Sequence, residues 1–93
     1  MARNLFISYD LYSPGQNYED VIAAIKKLGN WAKVQKSFWY VNSNFTPSQA
    51  VDAVWAVMDK NDSIIVVDTT SNSASWKGIS DEVAKFIRDH WNL

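Results

Sequence analysis

The sequence predicts an α/β (α+β) sandwich with the element order βαββαβ and an added C-terminal helix. Three observations support this fold class. Some short apolar runs are typical of strands. They alternate with stretches in which apolar residues have helical spacing. The chain has 93 residues, which is enough for one domain covering 1–93. Because 47% of the residues are apolar, the chain can form one small, aromatic-rich core.

The first predicted strand covers residues 4–10 and contains a continuous apolar run at 5–7. Such continuity indicates burial on both faces, and hence a central position in the sheet. The strand ends in a carboxylate, Asp10, and a Ser-Pro-Gly turn follows at 13–15. An acidic side chain at this point either caps the following loop or binds a metal ion.

Three segments have the apolar spacing of amphipathic helices. The first covers 17–28, with acidic residues in its first turn and lysines in its last, as the helix dipole favours. The second begins at Thr46, where Gln49 completes a capping box, and is expected to end at 59–61. The third follows Ser80 as its cap. The apolar faces expected for the last two helices are Val51, Val54, Trp55 and Met58, and Val83, Phe86, Ile87 and Trp91.

Residues 31–42 are predicted to be β-structure, because they are rich in Trp, Tyr, Phe and Val and contain no Gly or Pro. The run is long compared with a usual strand of about 5–6 residues. It is therefore one bent strand or two paired halves that split near Ser37, and the βαββαβ order requires two. A second apolar run at 64–67 predicts the next strand, and the polar residues 69–75 predict a connector.

Composition excludes several classes of function. The chain has no cysteine, so disulfides and thiolate metal sites are ruled out. The N-terminal residues lack the apolar segment of a signal peptide, and no run has the roughly 18 apolar residues of a membrane span. We therefore expect a cytoplasmic protein with no membrane association. No serine-hydrolase, zinc-protease or nucleotide-binding motif occurs, and His90 has no evident catalytic partner.

The lysines are unevenly distributed. No acidic residue occurs between Val21 and Val51, whereas four lysines do. If they converge on one face, this face attracts phosphate and predicts nucleic-acid binding; otherwise they are solvated side chains on a helix end and a strand. Among the tryptophans, Trp76 in the polar connector is the ring expected to be most exposed and able to stack on a base. The four lysines are Lys26, Lys27, Lys33 and Lys36.

Four short motifs follow one another between residues 4 and 68. They are Tyr9-Asp10-Leu11, Lys27-Leu28-Gly29, Val34-Gln35-Lys36-Ser37-Phe38 and Asp62-Ser63-Ile64. In this order and spacing they resemble the CRISPR-associated protein Cas2 family and the wider superfamily that includes virulence-associated protein D, a toxin-type ribonuclease. The resemblance covers about three quarters of the chain.

The resemblance implies a ferredoxin-like fold and a homodimer joined through the open faces of the two sheets. It also implies a Mg²⁺-dependent phosphodiesterase in which Asp10 of each subunit meets near the dimer axis, so that Asp10 is both the catalytic and the metal-binding residue. Ser8 and Ser37 are candidates to line the same site, because Ser8 precedes Asp10 by two residues and shares its face of the strand. The substrate is RNA or DNA.

A second hypothesis is a non-catalytic dimeric adaptor that binds nucleic acid or a protein partner. It is favoured by two departures from the family pattern: the first helix has Glu19 and Asp20 where the family has basic residues, and Trp39 and Tyr40 follow the Ser-aromatic motif where the family often has an acid. Asp68, at the end of a later strand, is expected to cap a loop rather than to bind a metal.

Overall fold

The structure is a computed structural model and describes residues 2–12 and 18–90. Within these residues the chain forms five strands and three helices. Residue 1 and the ranges 13–17 and 91–93 are not described. The predicted Pro-Gly turn and Trp91 therefore lie outside the described residues. The elements are β1 (Arg3–Asp10), α1 (Tyr18–Lys26), β2 (Gly29–Gln35), β3 (Phe38–Ser43), α2 (Pro47–Trp55), β4 (Ser63–Asp68), β5 (Ser73–Lys77) and α3 (Asp81–His90).

The strands form one antiparallel sheet in the order β2-β3-β1-β4-β5. The predicted α/β (α+β) class is confirmed, and β1 is the central strand as expected. The predicted long β segment consists of two paired strands, which are joined by a turn at Lys36 and Ser37. β2 and β3 pair from Gly29↔Ser43 to Gln35↔Phe38, with a bulge between Lys33 and Gln35. The described helices include none that is long and apolar enough to span a lipid bilayer.

The core lies on one face of the sheet, beneath α1 and α2. Alternate residues of the three central strands point into it, as the two-residue repeat of a strand requires. The other face of β1 is only half-buried at Phe6 and Ser8 and exposed at Asp10, so the expectation that β1 is buried on both faces is wrong. The fully buried core side chains include Leu5, Ile7, Trp39, Val41, Ile64 and Val66 from the sheet, and Val21, Ile25, Val51 and Val54 from the helices.

The opposite face, called here the open face, carries an aromatic cluster. The Phe6 ring stacks on Phe38 with centroids 5.6 Å apart and contacts Tyr40 at 5.4 Å. Tyr40 also donates a hydrogen bond of 2.7 Å from its hydroxyl to Oδ1 of Asn4. α3 approaches this face at another point, where Phe86 lines a shallow groove with Ile65 of β4. The three rings of the aromatic cluster, Phe6, Phe38 and Tyr40, are half-buried.

Two elements differ from the sequence-based expectation. The connector predicted at 69–75 contains the start of β5, whose polar residues form an edge strand because they pair with β4. α2 ends at Trp55 rather than at 59–61, because the next residues form a loop whose backbone is held by Asp62. The start of α2 is confirmed: Thr46 and Gln49 each accept the hydrogen bond expected of a capping box.

Candidate functional site at the end of the central strand

Asp10 is the last residue of β1 and faces solvent. It lies opposite Ser63 in the register between β1 and β4. Its carboxylate is exposed, and no described residue donates a hydrogen bond to it or forms an ion pair with it. None of the described residues therefore blocks access of a ligand to this carboxylate.

Ser8 and Ser37 lie at the same end of the sheet as Asp10. Ser8 is on the open face, two residues before Asp10, and pairs with Phe38. Ser37 is in the turn between β2 and β3, and its carbonyl oxygen accepts a hydrogen bond of 3.2 Å from the N–H of Tyr9. Ser8 and Asp10 also line one small depression of about 90 Å³ together with Ser63. The structure thus brings the three predicted site residues to one end of the sheet.

Asp62 caps the segment that follows β1 at Tyr12. The alternative that Asp10 caps the turn at 12–15 falls largely outside the described residues. The side chain of Asp62 is buried, with 1% of its surface exposed. Oδ1 accepts a hydrogen bond of 2.7 Å from the N–H of Tyr12, and Oδ2 accepts one of 2.7 Å from the N–H of Asp59. Sequence analysis identified Asp62 only as part of a motif. Its position directly before a buried strand was the available signal.

Among the described residues, few side-chain ligands for a metal ion lie at this end of the sheet. Mg²⁺ takes six oxygen ligands in near-octahedral geometry and usually keeps several waters. At this end of the sheet the described residues provide the Asp10 carboxylate and the hydroxyls of Ser8 and Ser63, and nowhere in ranges 2–12 and 18–90 do three or more acidic or His residues cluster. These oxygens fit Mg²⁺ only if a second chain adds a carboxylate.

Asp68 lies at the other end of β4 and is a structural residue. In the antiparallel register it is opposite Leu5, whereas Asp10 is opposite Ser63. The buried carboxylate forms an ion pair of 2.9 Å with Nη1 of Arg3 and accepts the N–H of Thr70 at 2.8 Å. It also accepts hydrogen bonds from the N–H and the hydroxyl of Ser71. The expectation that Asp68 caps a loop is confirmed.

Burial alone would raise the pKa of Asp68, because it disfavours the charged form. Hydrogen bonds from Ser71, Arg3 and Thr70 outweigh this effect, and the pKa lies below its usual value. Asp68 therefore remains ionised and holds the loop after β4 against the N-terminal end of β1.

The four lysines of the acid-free segment do not form one cluster. Lys26 and Lys33 lie near tryptophan rings of β2 and β3, respectively. The Lys26 ammonium is 4.4 Å from the centroid of Trp31, and the Lys33 ammonium is 5.9 Å from the centroid of the buried Trp39. In contrast, Lys27 lines the groove between α1 and α2. Lys36 is exposed in the turn between β2 and β3.

The expectation for the exposed tryptophan is wrong. Trp76 belongs to β5, pairs with Ile65 and is half-buried. Trp31, in contrast, has 45% of its surface exposed. The signal that could have identified Trp31 is its position between two lysines in the acid-free segment.

His90 lies in the last turn of α3, where its ring stacks on Phe86 at 4.1 Å and its Nδ1 lies 2.9 Å from the Phe86 carbonyl oxygen.

Comparison with known proteins adds no relative that would assign a role to this site. No family profile, curated protein or solved structure matches the chain.

Proposed function

We propose that the protein is a cytoplasmic, Cas2-like homodimer that binds nucleic acid and acts as a Mg²⁺-dependent endonuclease, with one Asp10 from each subunit at the catalytic centre. The observation that carries this proposal is the division of roles between two acids: Asp62 caps the loop after β1, and Asp10 is exposed and unengaged by the described residues. Among the described residues, no structural contact accounts for the Asp10 carboxylate.

The open face supports the dimer. A monomer leaves the aromatic cluster of Phe6, Phe38 and Tyr40 half-buried beside the end of β1. Two open faces packed against each other would bury this cluster, which is favourable by about 25 cal/mol per Å² of apolar surface. Because Asp10 lies on the same face as the cluster, such packing would bring it towards the partner subunit's Asp10.

The residues at this end have complementary chemical roles. The two Asp10 carboxylates would hold the metal ion, and the Ser8 hydroxyl is able to donate a hydrogen bond to a phosphate oxygen. When bound, Mg²⁺ would polarise the scissile phosphate and lower the pKa of a coordinated water. The lysines at the β2 edge would attract the phosphate backbone of the substrate.

Cleavage assays with matched variants test this proposal. Purified protein is incubated with single- and double-stranded RNA and DNA in Mg²⁺, Mn²⁺ or EDTA. We expect cleavage that needs the divalent ion and falls at least 100-fold in Asp10→Asn. Asp52→Asn is the control, because Asp52 is an exposed acid on α2 and the substitution changes the net charge equally. Cleavage that survives Asp10→Asn would reject Asp10 as the catalytic residue.

A non-catalytic adaptor is the second candidate. It is favoured by the lysine side chain that lies over the Trp31 ring at the β2 edge, and the described residues include no group of three or more acidic or His side chains that could hold a metal ion. This candidate predicts a dimer that binds nucleic acid without cleaving any of the substrates above, and with equal affinity in wild type and Asp10→Asn. Cleavage by wild type that is lost in Asp10→Asn would exclude it.

A further inference from the structure

We propose that the edge strand β2 carries a binding site for one unpaired nucleic-acid strand, in which the exposed ring of Trp31 stacks on a base and Lys26 and Lys33 contact the flanking phosphates. We call these three residues the Lys-Trp strip. The inference rests on the nucleic-acid-binding part of the proposed function. It adds that the nucleic acid is single-stranded, that one tryptophan stacks on a base, and that two of the four lysines bind its phosphates.

Trp31 has the exposure and support of a stacking platform. With 45% of its surface exposed, its ring is the most accessible of the indoles in the described chain. The ring is held from below by Trp39, whose centroid lies 5.5 Å away at an angle of 57° and which is 2% exposed. A ring fixed in this way loses little conformational freedom when a base stacks on it.

Neither lysine of the strip forms an ion pair within the described chain, so both keep a charge that can attract phosphate. Lys26 lies over the Trp31 ring, and Lys33 follows Trp31 by two residues on the same face of β2. The ion pairs of the described chain are Arg3–Asp68 and Lys85–Asp89, so neither lysine is neutralised by a carboxylate. The paired strand β3 has no acidic residue either. The strip is thus a basic surface with one aromatic ring in it.

The position of the strip favours a single strand over a duplex. β2 has a neighbour on one side only, and all seven of its residues are exposed. Stacking needs a base whose face is accessible, whereas the bases of a duplex are stacked on each other and present mainly their edges and phosphates. No side chain of the strip is placed to recognise a particular base, so we expect little sequence preference and similar affinity for RNA and DNA.

The first test compares ligands by fluorescence anisotropy. Labelled 20-nucleotide oligo-dT and oligo-U and a 20-base-pair DNA duplex are titrated with the wild-type protein. We expect both single strands to bind at least tenfold more tightly than the duplex. A duplex that binds as tightly as the single strands, or single strands that do not bind, would overturn the proposal.

The second test compares two charge-matched double variants. Lys26→Gln/Lys33→Gln removes both lysines of the strip, and Lys27→Gln/Lys36→Gln removes the same charge elsewhere. We expect at least a tenfold loss of oligo-dT affinity in the first and less than threefold in the second. The slope of log affinity against log salt concentration should fall by about 1.4 only in the first. Equal losses in the two variants would contradict the assignment.

The third test removes the ring. Trp31→Ala is expected to lower oligo-dT affinity about tenfold, in the range found for removing one stacked base contact. Trp31→Phe keeps a smaller ring and should lose less than threefold, which tests stacking even if the alanine variant folds poorly. Phe86→Ala, at an exposed ring on α3, is the control. If both Trp31 variants fold and bind as wild type, Trp31 is not a stacking residue. Because these assays measure binding, they can succeed even if the cleavage predicted for Asp10 is absent.

Discussion

The backbone N–H of Tyr12 donates a hydrogen bond of 2.7 Å to Oδ1 of Asp62, fifty residues further along the chain. Through this bond the buried Asp62 holds the segment that leaves β1, and its second oxygen holds the loop before β4. The two ends of neighbouring strands are thus fixed by one carboxylate. Asp10, only two residues before Tyr12, takes no part in this network.

We expect Asp62→Ala to destabilise the protein strongly. The substitution removes two hydrogen bonds to a buried carboxylate, those from the N–H groups of Tyr12 and Asp59, and a hydrogen bond to a charged group contributes about 1.5–3 kcal/mol. Asp10→Ala should change the free energy of unfolding by less than about 0.5 kcal/mol, as for other exposed residues. Urea denaturation at one fixed protein concentration measures both values. An Asp10→Ala protein as unstable as Asp62→Ala would contradict the division of roles.

Asp68 should make stability depend on pH in the acid range. Its pKa is lowered in the folded state, so its contribution is complete above the unfolded value of about 3.9 and is lost as pH falls through the lower folded value. We expect the wild-type protein to lose stability more steeply than Asp68→Asn as the pH falls below about 4. Thermal unfolding across this range, with Asp52→Asn as the control, measures the difference. If the stability of wild type and of Asp68→Asn falls equally steeply with pH, Asp68 does not cause the pH dependence.

Tyr9 should limit stability at high pH. Burial raises the pKa of its hydroxyl, and the charge of Tyr18 adds to this effect. The Trp39 N–H opposes it to a smaller extent, although no hydrogen bond of normal geometry joins the two groups. The contribution is complete below the unfolded pKa of about 10 and is lost as pH rises towards the higher folded value.

Replacing Tyr9 by Phe removes the titrating group and keeps the ring. We therefore expect Tyr9→Phe to lose stability less steeply than wild type above about pH 10, while being nearly as stable at pH 7. Urea denaturation at pH 7 to 11 makes the comparison. Tyr40→Phe is the control, because its hydroxyl lies on the open face. A wild-type slope retained in Tyr9→Phe would contradict the prediction.

Dimerisation through the open face predicts a mass of twice 10.6 kDa by size-exclusion chromatography with light scattering at micromolar concentration. Phe38→Glu places a charge within the aromatic cluster and should give a monomer. Phe45→Glu adds the same charge at the groove between α1 and α2 and should remain a dimer. A wild-type mass of 10.6 kDa would reject the dimer, and with it a site made from two Asp10 residues.

The sequence predicted those elements that local chemistry determines. The capping box of Thr46 and Gln49 involves residues three positions apart, and both of its hydrogen bonds are present. Ser80 likewise accepts the N–H of Val83 at 3.2 Å at the start of α3. In both cases the atoms that stabilise the start of the helix belong to one turn. The start of the helix could therefore be predicted from neighbouring residues alone.

Elements stabilised by distant partners could not be predicted in the same way. Residues 73–77 form a strand only because β4 offers an unpaired edge, and their composition alone is that of a loop. The turn at Lys36 and Ser37 lacks the Gly or Asn that usually marks a hairpin. At the candidate site, the segment after β1 is held at Tyr12 by Asp62, which lies fifty residues further along the chain.

The separation of the capping acid from the exposed acid has an evolutionary consequence. Position 10 can exchange its carboxylate for another polar group without loss of the loop anchor, because that anchor belongs to Asp62. A substitution at position 10 could therefore alter the chemistry of this end of the sheet while the scaffold stays the same. Position 62 has no comparable freedom, because a substitution there removes the hydrogen bonds to Tyr12 and Asp59.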